Sequence, residues 1–461
     1  MFLFLNIKHV FKNGIDWNYS GYGKLWTFNL NYFDFLNQEN IKVDEGLSLV
    51  NDYISNYKIL KDGKESYTIS LRTINWVKFL SKHNIQDLSI NQVLFNDYQR
   101  LLSNLELQFL GNHYMENGFA LLFGAYFFQD DELYKASKKI LESELEEEIL
   151  KDGAHFELSP MYHQTMLHRV LDCLCLVRYN DYKSQELEEF LKCKAIQMLA
   201  WLEKVTYKNG SIPMVNDSSH DIAPSSKKLF DYAKLLNLNW NQGELKESGY
   251  RKVIMKNYEL FIDVGHIGAS YQPAHAHADT FNFELMVKQV PIIVDSGTST
   301  YEKNNLRQLQ RSTESHNTVK IGDYNQSQVW SGFRVGNRAK VISINEEGNI
   351  IEATHDGYKR IKVLHTRKYV AKPNEVIIED LLSKEPDYVS RAFFHFYPGI
   401  RVVKDENSIK LEKEGVIMKF SEDVLDIIIR EYNYALGFNK TTKAQKAEVV
   451  FRRILKTHIY L

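Results

Sequence analysis

The chain has 461 residues, of which 44% are hydrophobic and 25% charged, which suits two or three globular domains and excludes a largely disordered protein. Its formal net charge of −2 provides no overall field for nucleic acid or an anionic membrane surface, so we expect neither as a partner. Aromatic residues reach 13%, and such side chains suit sugar rings as well as ordinary cores.

The amino terminus, MFLFLNIKHVFKNGIDW, has five apolar residues before Asn6. This run is too short for the core of a signal peptide or for a membrane span. We therefore expect a cytoplasmic protein, or a periplasmic or secreted one if a presequence is missing from this chain. Cys173, Cys175 and Cys193 share one helical stretch, and their odd number and spacing predict buried thiols rather than disulfides.

The first half of the chain carries apolar residues at three- and four-residue spacing, which predicts amphipathic helices. The stretches with this pattern are 23–38, 71–85, 96–128, 131–150, 161–180 and 187–207. Their short connections predict helical hairpins packed side by side, an arrangement that can close into a toroid. We assign residues 1–240 to this helical domain.

The second half changes to short β-branched runs separated by turn sequences such as Asn-Gly, Glu-Gly and Lys-Pro-Asn. Runs such as KVIMKNYELFIDVG and IKVLHTRKYVAKPNEVIIEDLL predict strands of a large antiparallel β-sandwich, to which we assign residues 241–461. The change falls within 236–250, where polarity rises and the helical period stops. The predicted fold class is therefore α+β and multidomain, with a helical toroid followed by an antiparallel sandwich.

Two polar clusters interrupt the helical half. In GNHYMENGFALLFGA, Asn112, His113 and Glu116 stand beside a strongly apolar run, and His113 and Glu116 share a helix face because they are three residues apart. In HFELSPMYHQTMLHRV, the pair Ser159-Pro160 predicts a helix start that places Tyr162 in the first turn. A polar helix edge and a capping aromatic residue remain the alternatives to a functional site.

A third cluster opens the strand half. In YQPAHAHADTFNFEL, His275, His277 and Asp279 alternate with alanines, so on an extended chain they share one face. Asp295 ends the apolar run VPIIVD and His316 precedes another strand, so an antiparallel meander can bring both close to His277. Two imidazoles and a carboxylate suit a tetrahedral zinc with one further ligand, although chance proximity among 15 histidines is the alternative.

These segments together resemble the heparinase II/III family of polysaccharide lyases, which are relatives of the alginate lyases with a toroid and a β-sandwich. IDWNYSGYGKLWTFNLNYFDFLN and ISLRTINWVKFL resemble the amino-terminal segments of the family. GNHYMENGFALLF, ELSPMYHQ, IPMVNDSSHD and HAHADTFNFEL then follow in the order of the family, ahead of VDSGTSTY and RSTESHNTV. The resemblance covers most of the chain.

The resemblance implies catalytic roles for residues of both halves. Asn112 and His113 match an Asn-His pair that contacts the uronate and can supply a base, and Glu116 matches the acidic residue beside that pair. Tyr162 matches a tyrosine that donates a proton, and in some members also acts as the base. His275 matches the active-site histidine of the sandwich.

The resemblance also implies a metal. His277, Asp295 and His316 match the ligands of one structural zinc ion, which would tie strands together and hold His275 in place without activating water. Tyr301 lies near the position of a second catalytic tyrosine in related lyases.

We therefore predict a lyase that removes the C5 proton of a uronic acid in an anionic polysaccharide or oligosaccharide and expels the 4-linked sugar by β-elimination. One alternative is a uronate C5-epimerase that shares the proton abstraction. A second alternative is a non-catalytic carbohydrate-binding protein with the same fold.

Overall fold

The computed structural model describes residues 1–108, 111–183, 185–271, 273–421 and 423–461. Helices dominate the first half, as the apolar period predicts. They are α1 (Lys24–Tyr32), α2 (Val43–Asn56), α3 (Ser66–Lys82), α4 (Leu88–Ser103), α5 (Gly111–Phe128), α6 (Asp131–Glu148), α7 (Pro160–Arg178), α8 (Glu186–Val205), α9 (Ser226–Leu235) and α10 (Asn305–Gln310). Every helix in the described part of the chain is too short or too polar to cross a membrane.

The helix boundaries differ from the predicted stretches in two respects. The stretch 96–128 contains parts of two helices, because α4 ends at Ser103 and α5 begins at Gly111. Helices α2, α9 and α10 lie outside the predicted stretches. Where a capping side chain precedes a helix, the start is well defined: Asp87 accepts hydrogen bonds from the backbone amides of Ser89 and Ile90 at the start of α4.

Strands fill most of the second half, as predicted. They are β1 (Phe2–Phe4), β2 (Ile7–His9), β3 (Tyr250–Ile254), β4 (Tyr258–Asp263), β5 (Phe283–Val287), β6 (Val290–Ile293), β7 (Val319–Ile321), β8 (Gln328–Trp330), β9 (Arg334–Gly336), β10 (Val341–Glu347), β11 (Ile350–His355), β12 (His365–Lys372), β13 (Glu375–Leu382), β14 (Ser390–His395), β15 (Val402–Asp405), β16 (Ser408–Leu411), β17 (Val416–Phe420), β18 (Val424–Gly437), β19 (Lys440–Phe451) and β20 (Ile454–Tyr460).

Three sheets build the sandwich. An eight-stranded sheet has the order β10-β11-β12-β13-β20-β17-β16-β15, and two four-stranded sheets have the orders β18-β19-β14-β7 and β3-β4-β5-β6. The strand pairs in these sheets are antiparallel, which confirms the predicted sandwich. Inward side chains of all three sheets, among them Leu260, Phe394 and Leu455, form one apolar core.

The chain forms two compact units, and each unit is built from three separate segments of the sequence. The helical unit comprises Met1–Ile149, Met166–Ile196 and Leu235–Leu238. The strand-rich unit comprises Leu150–Thr165, Gln197–Lys234 and Asn239–Leu461. The first turns of α7 therefore belong to the strand-rich unit.

Aromatic rings stabilise the core of the helical unit. Phe33 stacks on Trp17 with ring centroids 5.1 Å apart, and its ring meets the edge of Trp76 at 5.4 Å. In the same unit Cys173 is buried, but Cys193 is exposed. The prediction of buried thiols is therefore wrong for Cys193, which lies on the exposed face of α8, and Cys175 is only partly buried.

Candidate active site

Tyr162 lies in the first turn of α7, where the sequence predicts it. Ser159 caps the helix, since its hydroxyl oxygen accepts a hydrogen bond from the backbone amide of Tyr162 at 3.3 Å. The phenolic oxygens of Tyr162 and Tyr301 are hydrogen-bonded at 3.1 Å, and the ring of Tyr162 lies 4.1 Å from that of His275, centroid to centroid. Three residues predicted from separate motifs are therefore adjacent in the strand-rich unit.

Asp217 holds His275 in one orientation. Its carboxylate oxygen Oδ2 lies 3.0 Å from Nδ1 of His275, and its backbone amide donates to the carbonyl of His275 at 3.1 Å. An ionised carboxylate only accepts hydrogen bonds, so Nδ1 of His275 carries the proton.

The same carboxylate also contacts His277, Thr298 and Arg307. Nε2 of His277 donates to Oδ1 of Asp217 at 2.8 Å, and the guanidinium of Arg307 donates to both carboxylate oxygens. Burial opposes ionisation of Asp217, but the Arg307 cation and the histidine hydrogen bonds outweigh it and hold the pKa of Asp217 well below its usual range. Asp217 is therefore an anion at neutral pH even though its side chain is fully buried.

The local chain explains how Asp217 reaches this place. Asn216 adopts a left-handed backbone conformation with φ of 54°, which asparagine tolerates better than most residues. Its side-chain amide donates to the carbonyl of Leu158 at 2.9 Å, and its side-chain oxygen accepts from the backbone amide of His277 at 3.1 Å. Asn216 thus joins the segment before α7 to the histidine segment and directs the next residue between them.

Arg307 and Tyr301 form the other side of the site. Arg307 is fully buried in α10, and its guanidinium carbon lies 4.9 Å from the centroid of the Tyr301 ring. Burial and the nearby Asp217 carboxylate raise the pKa of Tyr301 well above its usual value, and Arg307 offsets this only in part. The Tyr301 phenol is therefore neutral and can share a proton with Tyr162.

The three predicted zinc ligands lie in the same unit, and each is fully buried. Nδ1 of His316 is 2.7 Å from Oδ2 of Asp295, and the rings of His277 and His316 are 5.2 Å apart, centroid to centroid. Nδ1 of His277 and Nε2 of His316 make no hydrogen bond, and neither does Oδ2 of Asp279. Over the described ranges, however, no group of three histidine, cysteine, aspartate or glutamate side chains is already arranged around one point as a metal site.

The donor chemistry fits a metal even so. A buried nitrogen lone pair without a hydrogen-bond donor is costly, and a metal ion removes that cost. Burial lowers the pKa of His277 to about 4 despite the hydrogen bond that it donates to Asp217, so this imidazole is neutral as a ligand must be. His277, Asp295 and His316 are the residues that would hold zinc.

The helical unit contains the other predicted catalytic residues, at the start of α5. Nδ1 of His113 lies 3.2 Å from a carboxylate oxygen of Glu106, and its ring packs against Tyr67 with centroids 4.4 Å apart. The His113 side chain is 43% exposed, whereas Asn112 is buried. His113 therefore can reach a ligand at the surface of this unit.

Glu116 differs from these two residues because it has no exposed surface. Its carboxylate accepts a hydrogen bond from Nε of Arg169 at 2.6 Å, and burial raises its pKa although Arg169 opposes the shift. This buried ion pair joins α5 to α7 within the helical unit. The geometry suits a residue that holds α5 in place, and the catalytic role of Glu116 stays a prediction.

Sequence reasoning missed Asp217, Arg307 and Glu106. Asp217 lies within IPMVNDSSHD, one of the segments that resemble the family, so the segment was recognised although no residue of it was singled out. Arg307 and Glu106 belong to no recognised motif. Arg307 pairs with Asp217, which lies 90 residues away, and Glu106 contacts His113 across the start of α5.

Two family models match the chain over most of its length. The model described as Heparinase II/III N-terminus matches residues 51–246, and the model described as Heparinase II/III-like, C-terminal matches residues 238–458. The chain belongs to the heparinase II/III family. This confirms the family that the sequence motifs indicate.

Heparinase II/III relatives with curated names share modest sequence identity with this chain. A heparin-sulfate lyase of Bacteroides stercoris is 21% identical over 303 residues, which cover 60% of this chain and 44% of that protein. A heparin-sulfate lyase of Bacteroides thetaiotaomicron is 22% identical over 339 residues, which cover 64% of this chain and 46% of that protein. The chain thus spans less than half the length of these curated relatives.

A crystal structure of heparinase III has a similar fold. The TM-score is 0.72 at 16% identity, with 98% of this chain and 80% of that chain covered. The likeness confirms the predicted fold class, a helical toroid followed by an antiparallel β-sandwich.

Proposed function

We propose that this heparinase II/III family member is a polysaccharide lyase that cleaves a uronate-containing glycosaminoglycan by β-elimination. The observation that carries the proposal is the hydrogen bond between the phenols of Tyr162 and Tyr301 beside the oriented imidazole of His275. A binding protein has no need for a proton donor and a proton acceptor side by side. The names of the two Bacteroides relatives support the same reaction.

The reaction needs three groups because the C5 proton of a uronate is only weakly acidic. The imidazole of His275, whose Nδ1 donates to Asp217, accepts the C5 proton on Nε2, and the Asp217 carboxylate stabilises the imidazolium that forms. Electrons of the C5–H bond form the C4–C5 double bond as the C4–O bond breaks. The Tyr162 hydroxyl gives its proton to the departing sugar oxygen, and Tyr301 hydrogen-bonds to the phenolate that results.

Besides the proton acceptor and the proton donor, the reaction needs a hydrogen-bond donor to the uronate carboxylate, on which negative charge builds up during proton removal. We assign this role to Asn112 with the help of His113, because an amide and an imidazole donate hydrogen bonds to carboxylate oxygens. This assignment follows from the match of the Asn-His pair to the family. Asn112→Ala is expected to lower kcat more than it raises KM, since the bond strengthens as charge develops.

We also propose that His277, Asp295 and His316 bind one zinc ion. The two unpartnered imidazole nitrogens support this, and zinc binding would satisfy both of them. Zinc would supply structural cross-linking between the segments that carry its ligands. Asp217 then serves two purposes, because it keeps the proton on Nε2 of His277 and so leaves Nδ1 available as a ligand.

The deciding experiment is an assay of a panel of uronate polysaccharides, including heparan sulfate, hyaluronan and alginate, for the ultraviolet absorbance of the unsaturated product. We expect wild-type protein to generate this absorbance from at least one member, and Tyr162→Phe to lower kcat at least about 100-fold. Tyr179→Phe, the same change at an exposed position, is the matched control and should match wild type.

Two outcomes would replace the lyase with another function. Exchange of the C5 proton for solvent deuterium without unsaturated product would indicate a C5-epimerase. Binding of a polysaccharide without exchange or cleavage, unaffected by Tyr162→Phe, would indicate a carbohydrate-binding protein.

A further inference from the structure

A short β-hairpin, which we call the aromatic hairpin (residues 328–336), reaches the candidate active site. Strands β8 and β9 pair antiparallel, and the loop Ser331-Gly332-Phe333 joins them. The ring centroid of Phe333 lies 5.7 Å from that of His275 and 5.2 Å from that of Tyr301. An apolar side chain thus directly adjoins the polar reacting groups.

The tip of the aromatic hairpin is fixed by buried cations. The carbonyl oxygen of Gly332 accepts hydrogen bonds from Nε of Arg307 at 3.0 Å and from Nη1 of Arg311 at 3.1 Å. The carbonyl oxygen of Ser331 accepts from the side-chain amide of Gln308. Arg307 and Arg311 are both fully buried, so the position of Phe333 is set by the interior of the unit.

Phe333 remains 39% exposed in spite of this support. The guanidinium carbon of Arg307 lies 5.4 Å from the centroid of its ring and covers one side of it. The exposed part of the ring is therefore available to a ligand that also reaches His275 and Tyr301. Phe333 is thus a partly exposed apolar ring, held by hydrogen bonds to its loop and placed directly beside His275 and Tyr301.

We propose that Phe333 is a stacking platform for a pyranose ring of the substrate, next to the sugar that loses its C5 proton. The C–H groups on one face of a pyranose carry small positive charges, and the face of an aromatic ring is negative, so the two attract when they stack. Arg307 is unsuited to bind the charged groups of the sugar from here because Asp217 already neutralises it. The platform therefore recognises the apolar face of the sugar and not its charge. The inference rests on the proposed lyase function.

The test compares substitutions of Phe333 by steady-state kinetics on the polysaccharide that the panel identifies. Phe333→Ala and Phe333→Leu are expected to raise KM about tenfold, which corresponds to about 1.4 kcal/mol, with kcat nearly unchanged. Phe333→Tyr and Phe333→Trp keep an aromatic face and should restore KM to within about threefold of wild type. Leucine separates stacking from packing, because it fills much of the same space without a π face.

Two further measurements separate stacking from charge and from a structural defect. The rise in KM for Phe333→Ala should be the same at low and high salt, because screening weakens only charge interactions. Tyr460→Ala is the matched control, since Tyr460 is also 39% exposed but lies on β20 and stacks on His458. That variant should leave KM unchanged.

Calorimetry on the Tyr162→Phe protein gives a readout that needs no turnover. Adding Phe333→Ala should weaken binding of an oligosaccharide about tenfold. If the panel is cleaved but Phe333→Ala keeps the wild-type KM, or if it lowers kcat instead, the platform is refuted and the lyase stands. If the panel is not cleaved but binding still depends on an aromatic residue at 333, the lyase fails and the platform stands. Absence of both cleavage and binding refutes both.

Discussion

Asp217→Asn is the substitution whose effect follows most directly from the structure. Asparagine keeps the size of the side chain but replaces one carboxylate oxygen by an amide group. Oδ1 of Asp217 accepts from His277, Arg307 and Thr298, and Oδ2 accepts from His275 and Arg307. Either orientation of the asparagine amide therefore turns an N–H donor towards one imidazole donor and one guanidinium donor.

The expected loss is large because Arg307 cannot reach water. Its side chain is fully buried, and removal of one partner of a buried ion pair costs about 3–5 kcal/mol of unfolding free energy. The hydrogen bonds to His275 and His277 belong to the same network as the Arg307 ion pair, so their losses are not additive. We therefore expect a total loss of about 3–5 kcal/mol of unfolding free energy. The size of this free-energy loss reflects the uncompensated charge of buried Arg307 more than the strength of the original ion pair.

Urea unfolding followed by circular dichroism measures the loss, with Asp426→Asn as the control. Asp426 pairs with Lys404 at 3.0 Å on the exposed surface, and this variant should be as stable as wild type. In parallel, nitrogen chemical shifts of His275 should show its proton leaving Nδ1 for a fraction of molecules. Asp217→Asn protein within 1 kcal/mol of wild type, with the histidine tautomer unchanged, would refute the reasoning.

Three other predictions concern different parts of the chain. Glu116→Gln should lower the unfolding free energy by about 2 kcal/mol, measured in urea, because Arg169 loses its buried charged partner; a neutral outcome would contradict the ion pair. Burial lowers the pKa of His163 to about 3, below the unfolded value near 6.5, so the unfolded state takes up its proton first and stability is lost as pH falls below 6.5. Thermal unfolding from pH 6.5 to 4 should therefore show a steeper fall for wild type than for His163→Gln, and equal slopes would exclude this cause. Metal analysis should find one zinc per chain, and a chelator should lower Tm of wild type but not of His277→Ala; protein without zinc and as stable as that variant would overturn the metal site.

Local patterns were sufficient to predict the fold. Helix α7 starts at Pro160 because proline suits the first turn and Ser159 caps it, and both signals lie within three residues. Strand runs and the turns between them are equally local, so the antiparallel sandwich followed from the sequence. The break between α4 and α5 was missed because apolar residues continue through it at near-helical spacing.

Residues of the candidate site could be predicted only where they lie in a recognised sequence motif. Tyr162, His275 and Tyr301 came from three separate motifs, and the structure places them together. Asp217 lies 58 residues from His275 and 90 residues from Arg307, and the segment around it has no regular period. A buried ion pair between such distant positions produces no local sequence pattern, because the two residues come together only in the folded structure.

The two guanidiniums that share the Gly332 carbonyl have a consequence for the exchange of any ligand at Phe333. Movement of the Ser331-Gly332-Phe333 loop away from the site would remove a hydrogen-bond acceptor from Arg307 and Arg311, which are both buried. The loop should therefore remain in place on the millisecond timescale. A ligand that contacts Phe333 would therefore meet a fixed ring, and its exchange should not depend on movement of this loop.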